Sequence, residues 1–390
     1  MNTVKSKFIL LFGPIVLFSL VCNSADRDAQ KQQSKGKQEF VLKECRRSLQ
    51  DESFFRTITV LPLETRMGKR AVSSSRIYMD DGNIFLLDKG NEFVGIYNKE
   101  GHHVKTIQQI GRGVQEFGKL ADICLDIVHK ELIVLASDPS KILYYSYQGE
   151  FLRESALPTY FESITTDGTF LYLLDQNVIK GENELTIYDR NLKEVGEALK
   201  VQTQFKGRSL FQRPSPIPNH SMTQDRRIHI AQQFDNKIYT VEKGKVFPEY
   251  TLNFKQSTLP MTLLEKKMRP SEFMKICKEN DYVTSITNVV ENDNYLFFDT
   301  NVGFCVCNKQ DGTMIKYGSI SGILPTSSSG RMQPVGNANN KMAVAWPLSL
   351  FERISGIGDP LESGRVLKLS EQFKDLDTDQ FNAILVVCEF

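Results

Sequence analysis

The stretch GVQEFGKL, residues 113–120, sets Gly113 and Gly118 around four residues and follows them with Lys119. That spacing belongs to phosphate-binding loops, whose glycine amides cradle a phosphate while the lysine reaches its outer oxygens. The next position, which would carry a hydroxyl for magnesium, is Leu120. Arg112 and Glu116 lie on the same stretch; an arginine there could clasp a carboxylate or sulfate through two parallel hydrogen bonds, or pair with Glu116 or another neighbour on the surface. Arg213 in FQRPSP and His220 in PIPNHSM sit in a proline-rich segment, where a histidine could act as acid or base near neutral pH or stand in solvent as a loop residue. Trp346, the single tryptophan, could stack on a sugar or peptide or fill a core.

Little else completes a reaction centre. No G-x-S-x-G element or credible Ser, His, Asp order appears, and the five histidines are scattered. His102 and His103 follow a hairpin glycine, His129 falls in a turn and His229 in a strand, so they form no metal cluster by spacing. Setting Cys22 aside, six cysteines are left: Cys45, Cys124, Cys277, Cys305, Cys307 and Cys388. Cys305 and Cys307 share one face of a strand-like run, too far apart to bridge and without the second ligand pair zinc requires; buried free thiols are expected. The reading assigns no catalytic residue, no metal and no cofactor.

The elements around the loop settle its identity. A phosphate loop opens a helix, whose N-terminal amides and dipole supply the donors. Here LADICLDIVHKELIVLAS follows, which alternates as strands with a turn near His129. The loop is therefore a connection within a strand array. Six short apolar runs mark that array: IFLLDK from Ile84, LIVLAS from Leu132, LYLLDQ from Leu171, IHIAQQ from Ile228, LFFDTN from Leu296 and MAVAWP from Met342. Their starts differ by 48, 39, 57, 68 and 46 residues, the spacing of propeller blades with two insertions. Hairpins follow the first five, with Gly101, Gly149, Gly244 and Gly312 at or near corners where positive φ costs glycine least.

Each unit thus reads as a four-stranded antiparallel blade, preceded by an inner strand such as SRIYMD, DICLDI, SITTD or SITNVV. One such sheet leaves an apolar face bare, and radial packing of six covers them all. The expected fold is all-β, a six-bladed β-propeller over residues 40–390. Its ring is closed by the strand FRTITVLPLE near the N-terminus and AILVVCEF at the C-terminus. Of the two insertions, 200–225 carries Pro214, Pro216 and Pro218 and reads as loop, while 255–281 contains SEFMKICKEN after Pro270 and reads as a short helix.

The start of the chain gives an address. Lys5 and Lys7 precede a 14-residue apolar run from Phe8 to Val21, the pattern of a secretory signal over residues 1–22. The run is shorter than the ~20 residues a membrane helix needs. Cys22 stands where the lipid-modified cysteine of a bacterial lipoprotein would stand, although Ser19, Leu20 and Val21 depart from that signal; cleavage beside Ser24 and Ala25 is the alternative. A polar spacer, 23–39, then leads to the domain. Export follows, either as an outer-membrane-anchored lipoprotein or to the periplasm, with the membrane reached only through a lipid anchor. The chain has 48 basic and 47 acidic residues, a formal charge of +1, so it lacks the broad positive field that gathers nucleic acid.

The phrase from Ile96 to Asp126 resembles the repeat unit of NHL-type propellers through Gly111, Gly113, Glu116 and Phe117, with Val114 and Gln115 where Pro-Gly is usual. With the signal, the spacer and VLPLE at Val60–Glu64, the chain resembles the TolB-like or NHL-like six-bladed propellers of exported proteins, abundant in Bacteroidota. The resemblance implies a fold and an envelope location and carries over no catalytic residue. The function expected is non-enzymatic binding of a glycan, peptide or envelope protein at the loop face, with Arg112, Glu116, Arg213, His220 and Trp346 as candidates. The alternative is a propeller-fold lyase or hydrolase acting on extracellular polymer.

Overall fold

Runs of Ile, Leu, Val and aromatic residues too short for helices and separated by tight turns pack well on pleated surfaces and poorly elsewhere. The computed structural model describes residues 38–49, 54, 56–64, 74–175, 182–201, 220–222, 227–319, 332–336, 338, 340–348 and 380–390, and strands dominate them. Two come first, β1 (Gln38–Ser48) and β2 (Thr57–Glu64). Four antiparallel strands form the first group, β3 (Arg76–Asp80), β4 (Asn83–Asp88), β5 (Phe93–Asn98) and β6 (His103–Ile107). The second is β7 (Lys119–Asp126), β8 (Glu131–Asp138), β9 (Ser140–Ser146) and β10 (Phe151–Ala156). The third is β11 (Ser163–Thr166), β12 (Phe170–Leu174), β13 (Asn183–Asp189) and β14 (Glu194–Lys200).

The fourth group is β15 (His220–Met222), β16 (Ile228–Ala231), β17 (Lys237–Glu242) and β18 (Lys245–Asn253). Two helices follow, α1 (Met261–Glu265) and α2 (Pro270–Glu279). The expected helix is α2: Pro270 opens it, Glu272 lies in its first turn and Lys278 in its last, each matched to the local backbone dipole. The fifth group is β19 (Ile286–Glu291), β20 (Tyr295–Thr300), β21 (Gly303–Asn308) and β22 (Thr313–Ser319). The last joins β23 (Gln333–Pro334), β24 (Lys341–Pro347) and β25 (Phe381–Glu389) to β2, in the order β2-β25-β24-β23. The two strand-like chain ends therefore share a sheet, Thr57 opposite Glu389 and Val60 opposite Val386.

All six apolar runs became the second strand of a group, and Gly101, Gly149, Gly244 and Gly312 take φ of 87, 79, 75 and 71° at hairpin corners. Neighbouring groups pack face to face. One core joins the first three groups, others join third to fourth, fourth to fifth, fifth to sixth, and sixth back to first. Phe85, Ile133, Leu173, Phe297 and Val344, all on second strands, are buried there, each worth about 1.5–3 kcal/mol in transfer free energy. The first strands of the groups touch one another: β3 meets β7 and β23, β7 meets β11, and β19 meets β15 and β23.

Two findings depart from the sequence reading. Residues 38–39, read as the end of the polar spacer, belong to β1. Among the described residues the sheets number five rather than six, because β1 pairs in parallel with β18 and with β22 and fuses the fourth and fifth groups into a nine-stranded sheet. The sequence QEFVLKECRRS hides this strand: only Phe40 and Leu42 turn inward between its ends, and residues 43–47 are exposed without the alternation that marks a half-buried strand.

Candidate functional site

Antiparallel order places the start of a group's first strand and the end of its fourth at one end of the sheet, together with the link from second to third strand. The long connections accordingly leave from that common end: 65–75, 108–118, 157–162, 201–219, 254–285, 320–332 and 348–380, while most links at the opposite end are tight turns. Connections grafted on one end of a rigid scaffold are where binding groups gather.

The connection 108–118 holds the phosphate-loop-like stretch, and its geometry is not that of a phosphate loop. Lys119 opens β7, a strand, and no helix follows. The loop is held from within. Glu116 turns inward and accepts from the Gly113 amide at 2.8 Å, and a Cβ on Gly111 would lie 2.1 Å from the Glu116 carboxylate. Phe117 is buried and its amide donates to the Gln109 carbonyl at 2.8 Å. Lys141, buried on β9, donates to the Gly113 carbonyl and to Glu154, both at 2.9 Å, and Glu154 accepts from the Gln115 amide at 2.9 Å. Burial alone would raise the Glu154 carboxyl; the Lys141 ammonium and the Gln115 amide outweigh it and hold the carboxyl below its usual range. Gly118 donates to the Asp138 carbonyl at 2.6 Å.

What this bracing leaves outward is Ile110, Arg112 and Val114, alternate residues with Ile110 58% and Val114 71% exposed. Arg112 pairs with Asp138 at 3.0 Å, its side chain 77% exposed, so its surface ion pair is with a neighbour other than Glu116. Glu116 is a loop brace rather than a binding group on the surface.

The other candidates do not converge on this loop. Trp346 is 1% exposed in the core between fifth and sixth groups, with Phe297 and Val344, so its ring has no free face for a ligand. His220 is the first residue of β15, opposite Ile230. Arg213 and Cys22 lie outside the described residues. Cys124, Cys277, Cys305, Cys307 and Cys388 are buried thiols, while Cys45, contrary to expectation, is exposed on β1, where residues 43–47 all stand in water. Burial raises the thiol pKa at Cys124, Cys305 and Cys307. Among the described residues no group of three or more His, Cys, Asp and Glu side chains could hold a metal, and no helix is long and apolar enough to cross a membrane.

Two buried polar clusters escaped the sequence reading. Near the starts of the first three inner strands, Arg76 of β3 donates to both oxygens of Asp122 on β7, Nε at 3.0 Å and Nη2 at 2.8 Å. Ser163 and the Ile164 amide of β11 donate to the same carboxylate at 2.5 and 3.1 Å. Burial alone would lower the Arg76 pKa; the charge of Asp122 reverses this and the net shift is upward. Between fourth and fifth groups, His229 meets Glu291 at 3.0 Å, and Tyr250 and Lys309 each donate to Glu291 at 2.7 Å. These charges tie strands together. Their one sequence signal is a charged or polar residue inside an otherwise apolar strand, such as Asp122 in DICLDI or His229 in IHIA.

No curated protein matches the chain. Among solved structures, a Bacteroides fragilis protein described as exported aligns with a TM-score of 0.72 at 17% identity, over 90% of this chain and 99% of its own, a likeness of fold. The extracellular domain of a one-component system of B. thetaiotaomicron aligns with a TM-score of 0.37 at 15% identity, over 67% of this chain and 29% of its own. A virginiamycin B lyase of Staphylococcus aureus aligns with a TM-score of 0.44 at 11% identity, over 86% and 100%. Residues 39–379 match the family described as a domain of unknown function, DUF4934, and with that share of its length matched the chain belongs to this family.

Proposed function

We propose that the six groups are the blades of a six-bladed β-propeller of NHL-like or TolB-like kind, exported to the cell envelope, that binds a glycan, peptide or partner protein at the end carrying its long connections. The observation that carries this reading is the 108–118 connection. Its backbone is fixed by Lys141, Glu154, Glu116 and Phe117, while Ile110, Arg112 and Val114 stand outward without a packing role. A loop ordered in advance loses little entropy on binding, and an apolar pair flanking an arginine suits a contact that buries area and fixes orientation. Closure of the ring is supported by the core that returns from sixth group to first and by the pairing of β2 with β25. Export is supported by the apolar run ahead of Cys22.

The test uses defined glycans and extended peptides as probes in thermal-shift titrations, since a molecule that binds only the folded state raises its melting temperature. R112A/V114D should keep the unliganded stability within about 0.5 kcal/mol, as an exposed pair of substitutions does. It should also lose at least tenfold in affinity for any probe that shifts the natural chain. An unchanged affinity would remove the loop from the binding surface. The address has its own test in cell fractionation: Cys22→Ala should move the protein from the membrane to the soluble fraction, and an unmoved protein would end the lipid-anchor reading.

A further inference from the structure

The outer edges of the sheets are treated unequally. In the first three groups the second residue of the outermost strand is an extra residue in the ladder: Val104, Leu152 and Val195 each fall where the register slips, and each stands exposed. Such bulges bend an edge away from further pairing. In the fourth group β18 slips at Glu249, and the sixth group's outer strand β2 carries Pro62, which has no amide to donate. Only β22, among the described outer strands, runs without a slip against its inner neighbour, Phe304 opposite Tyr317 through Cys307 opposite Met314. Strand β1 lies along it from Val41 opposite Thr313 to Ser48 opposite Ser319, with one slip at Lys43, and its first residues, Gln38 to Val41, pair on the other side with β18.

Two glycines shape that edge for a backbone. A Cβ on Gly312 would lie 3.1 Å from the Glu39 carbonyl oxygen, and one on Gly318 would lie 2.9 Å from that of Arg47, so the glycines bracket the bound strand near both ends. The Val41 amide donates to the Gly312 carbonyl at 2.9 Å. Side-chain recognition is sparse: Leu42 sits opposite Met314 of β22, Phe40 packs against Tyr250 of β18 on the other side at a ring distance of 5.5 Å, and most other residues of β1 face water. What the edge selects is therefore an extended segment with apolar residues at alternate positions.

We propose that the β22 edge is a strand-acceptor site, filled by β1 of the same chain, and that the second occupant it takes is β1 of another copy. Exchange of identical strands restores every contact it breaks, so linking two copies this way costs little. The outer edges of the first three groups, bulged at Val104, Leu152 and Val195, carry no further strand among the described residues.

The test mixes two full-length chains bearing different affinity tags, holds them in urea just below the unfolding midpoint, and returns them to buffer. A doubly tagged dimer of twice the monomer mass is expected, its fraction rising with protein concentration. Gly318→Ala, which presses on Arg47, should speed its formation severalfold. Val41→Pro removes the donor to Gly312 from an exposed position and should abolish it. Bridging of a V41C chain to a T313C chain, both carrying Cys45→Ser, would place the exchanged strand. Absence of the dimer at every concentration, or a dimer that persists with Val41→Pro, would overturn the proposal.

Discussion

Asp122→Ala is expected to lower the unfolding free energy by about 3–5 kcal/mol, the range for breaking a buried ion pair by removing one partner. The reason lies in what remains. Arg76 is 1% exposed and loses the carboxylate that receives both Nε and Nη2, while the Ser163 hydroxyl and the Ile164 amide lose a shared acceptor. A charge left in the interior without compensation is far more costly than the pair itself was favourable. Asp122→Asn should fall in between, because an amide oxygen still accepts but neutralises nothing. The double variant Arg76→Met/Asp122→Leu separates the two meanings of the pair. If the charges matter only to each other, it should recover at least half of the loss in urea denaturation; a loss as large as that of Asp122→Ala would mean that the link to Ser163 and Ile164 carries the effect. A drop below about 1 kcal/mol for Asp122→Ala, the scale of an exposed pair, would show that the site is not dry.

This pair also marks where reading the sequence stops. The second strands were legible because their apolar runs are local, and the corners were legible because positive φ singles out glycine. The pairing of β2 with β25 could be inferred because two strand-like ends were left over. By contrast, Arg76, Asp122 and Ser163 are 46 and 41 residues apart along the chain, and nothing in their local spacing points from one to the next. The 108–118 loop shows the same division. Its glycines and Phe117 were visible as a junction, but its braces, Lys141 and Glu154, come from the two outer strands of the next group and exist only once the sheet has formed. Trp346 misled for the opposite reason: rarity drew attention to a residue whose size simply fills space between two sheets. Strand β1 hid because its residues 43–47 are exposed without alternation and look like spacer.

The second large effect concerns Glu291, and pH decides its size. Three side chains from the fourth and fifth strand groups converge on this carboxylate: His229 on Oε1, and Tyr250 and Lys309 on Oε2. Burial alone would raise its pKa; the hydrogen bonds and charges of His229 and Lys309 outweigh that and hold it well below the usual carboxylate range. A folded pKa below the unfolded one contributes stability that is fully present above the unfolded value, about 4.3, and is lost as pH falls from there toward the folded value. Burial and Glu291 together push the Tyr250 hydroxyl upward, so it stays a donor throughout. Glu291→Gln keeps the shape, but its amide nitrogen must face either His229 or the Tyr250 and Lys309 donors, and Lys309 loses its counter-charge. At pH 7 the substitution should cost about 3–5 kcal/mol. Measured at pH 3.5, the gap between natural chain and variant should narrow, because the natural chain is by then losing what the carboxylate contributes. Urea titrations of both proteins at the two pH values check this, and a gap that stays constant or widens on acidification would show that Glu291 holds the two strand groups by shape and not by charge.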